Sequence, residues 1–225
     1  MATTKQKNQE EVRKENIEAT VSRTEQFFNE NQKTIWGVLI AILVVGLSIL
    51  AYGKFIYGPK CAEAMAAMYP AEASFQAGEF ELALSGDGNV PGFEQVIEEY
   101  GAKAGKSVYL YAGICELQLG NFENAVSYLR KYKGRDAILA ARALACEGDA
   151  YVGLEDYSVA VKCFRAAAAK ADNVFAATYL MKAGLALEKL GDRKGALEAY
   201  RTIEDKYPQS IEAFDIQRYI SAVEE

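Results

Sequence analysis

The hydrophobic and polar residues of the chain form two different patterns. Between Lys33 and Lys54, a run of 20 residues, TIWGVLIAILVVGLSILAYG, carries no charge and shows no polar face. Beyond this run, apolar residues recur every three or four positions with charged residues between them, which is typical of amphipathic α-helices. The pattern predicts one long apolar helix near the N-terminus, followed by a domain of amphipathic helices.

The apolar run predicts a transmembrane helix within residues 34–57, because about 20 helical residues match a hydrocarbon core of roughly 30 Å. Trp36 at one end and Tyr52 and Tyr57 at the other suit the two membrane interfaces. A cleaved signal peptide is disfavoured, since the run and the segment before it are both too long. Small residues in the run would let another helix approach closely, although they are also common in helices that only tether. They are Gly37, Ala41, Gly46, Ser48 and Ala51.

The charges around the run predict its orientation. Residues 1–33 carry six basic side chains, whereas on the far side only Lys54 and Lys60 lie close to the membrane. The positive-inside bias places residues 1–33 in the cytoplasm and residues 58–225 on the other side, which is the periplasm in a bacterium. The N-terminal segment fits a surface helix, a contact with a cytoplasmic partner or a partly disordered tail. Its helical spacing rests on Ile17, Val21, Thr24 and Phe28.

One helical pattern occurs three times in the second half of the chain. Aligned on Ala125, Ala160 and Ala196, the copies are 35 and 36 residues apart. Each copy has a glycine 12 residues before the alanine and a bulky residue four after it. A period of about 34 residues with this pattern predicts tetratricopeptide repeats, which are pairs of antiparallel helices that stack into a solenoid. The glycines are Gly113, Gly148 and Gly184, and the bulky residues are Leu129, Phe164 and Tyr200.

The predicted fold class is therefore all-α, a single transmembrane helix followed by an α-solenoid of tetratricopeptide repeats. The glycine and the alanine of each repeat are expected where the two helix backbones come closest. Repeats are predicted at about 106–139, 141–175 and 177–209, after a degenerate repeat at about 60–100 whose second helix is interrupted by SGDGNVPG. Residues 210–225 are predicted to cap the solenoid, with four apolar residues facing inward: Ile211, Phe214, Ile220 and Val223.

The composition limits the partners and reactions that the chain can support. The net charge is −6, which argues against nucleic acid as a partner, and the chain has no histidine, the commonest general base and metal ligand. The four cysteines form no C-x-x-C motif. Three of them fall among small apolar neighbours in helical sequence, which favours buried free thiols, although a disulfide is possible outside the cytosol. No catalytic residue, cofactor or metal site is predicted. A hydrolase or transferase with an unrecognised site is the alternative.

Two short motifs have plainer explanations. YGAKAGKS at Tyr100–Ser107 ends like a phosphate-binding loop, but Tyr100 stands where the first glycine is needed and a glutamate-rich helix precedes it. GDGN at Gly86–Asn89 offers one Asp and one Asn, too few for a calcium site, which usually takes about six to eight oxygen ligands. Both stretches are predicted to be ordinary loops.

The first helix of each repeat is expected to line the concave side of the solenoid and to bind extended or partly unfolded apolar segments weakly. Some of these residues could instead pack against the C-terminal helix or a neighbouring repeat. This candidate set contains Leu110, Ile114, Leu117, Arg142, Asp149, Val152, Met181, Leu185 and Glu188.

The combination of an N-terminal anchor with such repeats resembles the YfgM-like family of bacterial membrane-anchored tetratricopeptide proteins. The resemblance covers roughly Gln26 to the C-terminus and rests on IWGVLIAILVVGLSILAYG, ALSGDGN, YAGICELQLGNFENAVSYL and IEDKYPQS, which look most like members from Bacteroidetes-type bacteria. It implies an ancillary subunit of the SecYEG translocon in the bacterial inner membrane, with periplasmic chaperones or secreted clients as further partners. The alternative is a membrane-anchored repeat adaptor or receptor in another envelope or organelle import complex.

Overall fold

The computed structural model describes residues 30–224. Within this range Ala102 is described by its backbone alone. The helical pattern predicted at Ile17–Phe28 lies outside the described residues. The chain divides between Gly58 and Pro59 into two compact units. Within the described residues every regular element is a helix, which agrees with the predicted fold class.

Helix α1, residues 30–52, contains the uncharged run and is followed by a π-helical turn at Gly53–Tyr57. The candidate span lies within helical residues Glu30–Gln76, and none of its most apolar window is buried. Leu50 and Trp36 illustrate this, because more than half of each side chain is exposed. A helix that is apolar on all sides and unburied is unfavourable in water. By length and composition it could cross a membrane.

The second unit consists of helix pairs in chain order. The first pair joins α2 (Gly58–Gln76) to a second helix split into α3 (Phe80–Ser85) and α4 (Phe93–Tyr100). Three regular pairs follow: α5 (Ser107–Gln118) with α6 (Phe122–Lys131), α7 (Ala137–Gly153) with α8 (Tyr157–Lys170), and α9 (Val174–Lys189) with α10 (Arg193–Lys206). The described chain ends with a 3-10 turn at Glu212–Asp215 and α11 (Ile216–Glu224).

The turn within each regular pair is the same in all three repeats. The backbone N–H groups of Asn121, Asp156 and Asp192 each donate to a carbonyl five residues earlier, at 2.9 Å, which closes the end of the first helix. The residue before each of these adopts a positive φ. It is glycine in the first and third repeats, but Glu155 occupies this position in the second, with φ 60°.

The repeat glycines make room for a large side chain on the partner helix. A Cβ added at Gly113 would lie 2.6 Å from Cγ of Leu129, and one added at Gly148 would lie 2.6 Å from Cε1 of Phe164. The glycine therefore faces the bulky residue, whereas the sequence pattern suggested that it faces the alanine. The three repeat alanines are fully buried beside this contact.

Neighbouring pairs are joined by three clusters of buried residues. One cluster of buried residues joins α2 to α5, a second joins α5 to α7, and a third joins α7 to α11. An aromatic group joins the first helix pair to α5. Phe93 stacks on Tyr111 with ring centroids 5.4 Å apart, and Phe75 meets both rings edge-on.

Polar side chains also join segments that lie roughly one repeat apart along the chain. Lys106 Nζ donates to the carbonyl of Lys133 at 2.7 Å, and Thr178 Oγ1 donates to Glu212 at 2.6 Å. The Tyr207 hydroxyl donates to the Asp172 carboxylate. The partners in these bonds are 27, 34 and 35 residues apart, which is about one repeat.

The prediction for the C-terminal cap is half wrong. Ile220 and Val223 are buried as predicted, and Ile216 joins them. Ile211 and Phe214, however, are 84% and 85% exposed. Residues 208–215 form turns and a 3-10 segment, so α11 begins only at Ile216 and its inward face does not extend back to Ile211.

Candidate partner-binding groove

The first repeat does not offer its predicted binding residues. Leu110 and Ile114 are buried in the cluster that joins α5 to α7, and Leu117 packs against the same cluster. Their side chains fill the space between neighbouring repeats and are not available to a partner in this conformation. This is the packing alternative that the sequence had left open.

The second and third repeats do form a groove. Its volume is about 210 Å³, and three of the predicted residues line it: Asp149, Val152 and Leu185. Val152 is 37% exposed and Leu185 is 43% exposed, so both present apolar surface to solvent. The remaining lining residues are Tyr157, Phe164, Lys182, Ala186 and Lys189.

An ion pair crosses the groove from one repeat to the next. Lys182 Nζ donates to both carboxylate oxygens of Asp149, at 2.8 and 2.7 Å, and lies 5.9 Å from the centre of the Phe164 ring. Roughly a third of each side chain in the pair is exposed, so water screens the attraction and the pair stabilises the fold only weakly. The pair therefore remains able to exchange its bonds for those of a ligand.

Lys182 and Lys189 were not among the predicted residues. The signal that could have identified them is their spacing around Leu185, since the three occupy positions i, i+3 and i+7 of α9 and share one helix face. A second signal is that Asp149 and Lys182 are 33 residues apart, which brings similar positions of successive repeats together.

The other predicted residues serve different purposes. Glu188 accepts a hydrogen bond from the Tyr200 hydroxyl, and burial together with this bond raises the pKa of Tyr200. Met181 packs against the core of the last repeats, and Arg142 is exposed on α7. Glu188 and Met181 thus contribute to the fold of the third repeat, which leaves Asp149, Val152 and Leu185 as the predicted residues brought together.

The thiols are free, as predicted, and three of them are buried. Burial raises the pKa of Cys115 to about 12 and that of Cys163 to about 11, and it also raises the pKa of Cys146. A nucleophilic cysteine needs a thiolate near neutral pH. These three thiols therefore remain protonated and behave as small apolar side chains.

Both short motifs are loops in the structure. Lys106 donates to the backbone carbonyl of Lys133, and helix α4 precedes the motif where a phosphate loop needs a strand. The Asp87 carboxylate accepts the N–H groups of Asn89 and Val90, which lowers the pKa of Asp87. Among residues 30–224 no group of three or more His, Cys, Asp or Glu side chains is placed to hold a metal ion.

The small residues of α1 divide between two faces. Because an α-helix has about 3.6 residues per turn, Gly37, Ala41 and Ser48 lie on one side, while Gly46 lies on the opposite side. The Ser48 hydroxyl donates to the carbonyl of Val44 at 2.8 Å, so it needs no partner outside its own helix. The side with Gly37, Ala41 and Ser48 is the flatter approach for another helix.

The helix pairs, their common turn and their shared core define an α-solenoid of tetratricopeptide repeats. Proteins built from such repeats generally act as scaffolds that bind other proteins. Two sequence models described as tetratricopeptide repeat match this chain, one over residues 107–136 and the other over residues 147–211. The structural and sequence criteria therefore agree for the three regular repeats.

The structure is similar to two crystal structures of MamA. One has a TM-score of 0.52 at 20% sequence identity, over 68% of this chain and 91% of that chain. The other has a TM-score of 0.53 at 20% identity, over 74% of this chain and 91% of that chain. At this identity the similarity shows a shared fold. No curated protein has a significant sequence match to the chain.

Proposed function

We propose that the protein is a membrane-tethered scaffold whose concave groove holds extended apolar segments of other proteins. The observation that carries this proposal is the groove between the second and third repeats, where Val152 and Leu185 remain half-exposed although the surrounding helices are tightly packed. Their apolar surface would be removed from water by a bound segment.

The polar side chains of the groove suit an extended main chain. A segment without regular structure presents unpaired N–H and C=O groups. Asp149 can accept from an N–H group and Lys182 can donate to a carbonyl, because their mutual ion pair is partly exposed. The groove lacks the Lys/Asn set by which some tetratricopeptide domains hold a terminal carboxylate. Binding is therefore weak and depends on apolar content, which suits partly unfolded clients.

The tether is α1. Its length and composition support insertion into a bilayer, and the excess of basic residues before it supports a cytoplasmic N-terminus with periplasmic repeats. A reporter that works only outside the cytoplasm should be active when fused to the C-terminus. Activity of a cytoplasmic reporter at the same place would reverse the proposed orientation.

The proposed setting is the bacterial inner membrane beside the SecYEG translocon, with secreted clients or periplasmic chaperones as partners of the groove. This part is supported by the resemblance to YfgM-like proteins and by the face of small residues at Gly37, Ala41 and Ser48. A photo-crosslinker at Ala41 should form adducts with translocon subunits, and one at Gly46, on the opposite side, should form fewer. Adducts with subunits of a different import complex would favour the receptor alternative.

The groove itself is tested with the full chain in lipid nanodiscs and a fluorescent peptide of extended apolar sequence. Leu185→Asp is expected to weaken binding roughly tenfold, the effect of losing one partly buried apolar contact of about 1.5 kcal/mol. The matched control is Leu119→Asp, since Leu119 is similarly exposed but lies outside the groove. Equal binding by the two variants, with helicity unchanged, would refute the groove. Ile114→Asp is not a suitable probe, because Ile114 is buried and the variant is expected to unfold.

A further inference from the structure

A second surface lies along the edge of the solenoid where one repeat passes to the next. We call it the basic edge and define it as residues 101–106, 131–139 and 170–175. In antiparallel pairs the end of each second helix and the start of the next first helix lie at the same edge. The hydrogen bond from Lys106 to the carbonyl of Lys133 confirms that the first two of these segments are adjacent.

Exposed apolar residues recur along the basic edge with the period of the repeats. Ile138 and Leu139 begin α7, and Val174 and Phe175 begin α9, 36 residues later. All four are exposed, with Val174 at 58% and Phe175 at 51%. They lie at helix starts, where the backbone is held by caps: Asp136 accepts the Leu139 N–H and Asn173 accepts the Phe175 N–H. These side chains thus protrude from a rigid backbone.

The charge of the basic edge is opposite to that of the whole chain. Its segments contain six basic and two acidic residues, while the net charge of the chain is −6. Asp136 is occupied as a helix cap and Asp172 accepts the Tyr207 hydroxyl, so both carboxylates are engaged with the protein. The basic residues are Lys103, Lys106, Lys131, Lys133, Arg135 and Lys170.

The opposite edge provides a contrast within the same repeats. Its turns, residues 119–121, 154–156 and 190–192, contain three acidic residues and no basic one. They also expose apolar side chains, at Leu119 and Leu190. Exposed leucines therefore occur at both edges. At the opposite edge Leu190 lies beside Lys189 and Arg193, whereas Leu119 has no lysine or arginine within four residues, so Leu119 is the contrast to the basic edge.

We infer that the basic edge rests on the surface of a bilayer that contains anionic lipid. Protruding apolar side chains enter the boundary between headgroups and acyl chains, while the surrounding lysines and arginines attract anionic headgroups. A row of protruding side chains can enter a flat bilayer surface, whereas a bound peptide segment needs a groove. The inference rests on the proposed tether, which would keep the edge within reach of the bilayer.

Tryptophan reporters in the full chain test this inference. With Trp36 replaced by Phe, a single tryptophan is introduced by Phe175→Trp at the basic edge or by Leu119→Trp at the opposite edge. Each protein is reconstituted into vesicles of phosphatidylcholine, with or without phosphatidylglycerol, and quenched with brominated lipid. We expect quenching at position 175 only when phosphatidylglycerol is present, and none at position 119. Leu139→Trp is the second reporter for the basic edge.

Charge removal gives an independent readout. The variant with Lys131, Lys133 and Arg135 all replaced by Gln should weaken attachment of the edge roughly 100-fold, because each basic residue near an anionic surface contributes about fivefold. Quenching at position 175 should then disappear, and added salt should have the same effect on the unmodified edge.

Three outcomes would overturn the inference. Equal quenching at positions 175 and 119 would mean that the bilayer does not select the basic edge, and quenching independent of phosphatidylglycerol would mean that the charge is irrelevant. A blue shift at position 175 that grows with protein concentration, without lipid quenching, would identify a second copy of the chain as the occupant. Release of the chain by alkaline carbonate would instead refute the tether, so failure of the tether and failure of the edge are distinguishable.

Discussion

Gly184→Ala tests the packing that defines each repeat. A Cβ at this position would lie 2.6 Å from Cζ and 2.9 Å from Cδ1 of Tyr200, distances that no stable packing allows. The ring cannot move away easily, because Tyr200 is fully buried and its hydroxyl donates a hydrogen bond to Glu188. Its ring also packs against that of Tyr219, with the two ring centroids 5.5 Å apart.

The expected change in the free energy of unfolding is the difference between a gain in helix propensity and a loss from overpacking. Alanine is favoured over glycine within a helix by about 1 kcal/mol. Overpacking a well-filled core costs about 1–3 kcal/mol, and here the displaced ring would also lose its hydrogen bond, which adds about 1 kcal/mol. The net effect should be a loss of roughly 1–3 kcal/mol in the free energy of unfolding.

The assay is urea unfolding of the full chain in mild detergent, followed by far-ultraviolet circular dichroism. Tyr200→Ala removes the ring atoms that the new Cβ would strike, so it serves as the second variant of a double-mutant cycle. Leucine would not serve, because Leu129 fills the same position in the first repeat and would itself strike a Cβ at Gly113. In the Tyr200→Ala background Gly184→Ala should be neutral or stabilising. If Gly184→Ala destabilised the chain equally with Tyr200 and with Ala at position 200, the contact would not be the reason for the glycine.

Three further predictions follow from single positions. Glu155→Gly should raise the free energy of unfolding by roughly 0.5–1 kcal/mol, because Glu155 holds a positive φ that glycine adopts without strain; an unchanged urea midpoint would contradict this. Ile216→Ala should lower the free energy of unfolding by about 2–4 kcal/mol, whereas Phe214→Ser should change it by less than about 0.5 kcal/mol. A large loss of stability in Phe214→Ser would mean that Phe214 belongs to the core. Stability should fall as pH rises from about 9 towards 11, because thiols ionise first in the unfolded chain while burial raises the pKa of Cys163 in the folded one to about 11. Cys163→Ala should show a shallower decline, and an identical slope would refute this.

The sequence predicted the features that repeat and missed those that depend on neighbours. The spacing of Gly148 and Ala160 identified a helix pair, because close packing forces small residues there in every copy. The break between α3 and α4 followed from SGDGNVPG, whose glycines and proline disfavour helix. Burial of Ile114 was not predictable from its own helix, because it depends on how closely α7 approaches.

The same limit applies to the candidate groove. Leu185 and Val152 were placed correctly on the first helices, but Lys182 was overlooked because its importance comes from Asp149, 33 residues earlier. The cap was misjudged for a different reason. Ile211 and Phe214 continue the apolar spacing of the last helix, but a 3-10 segment rotates them away from the core.

The hydrogen bonds that span about one repeat have a consequence for how the protein is made. Lys106 reaches Lys133, Asp149 reaches Lys182, and Asp172 reaches Tyr207, each about one repeat along the chain. Contacts this local form rapidly and do not wait for distant segments. Each repeat can therefore be completed as soon as the next one has been synthesised, so that a growing chain exposes only its newest unfinished pair to proteases and to aggregation.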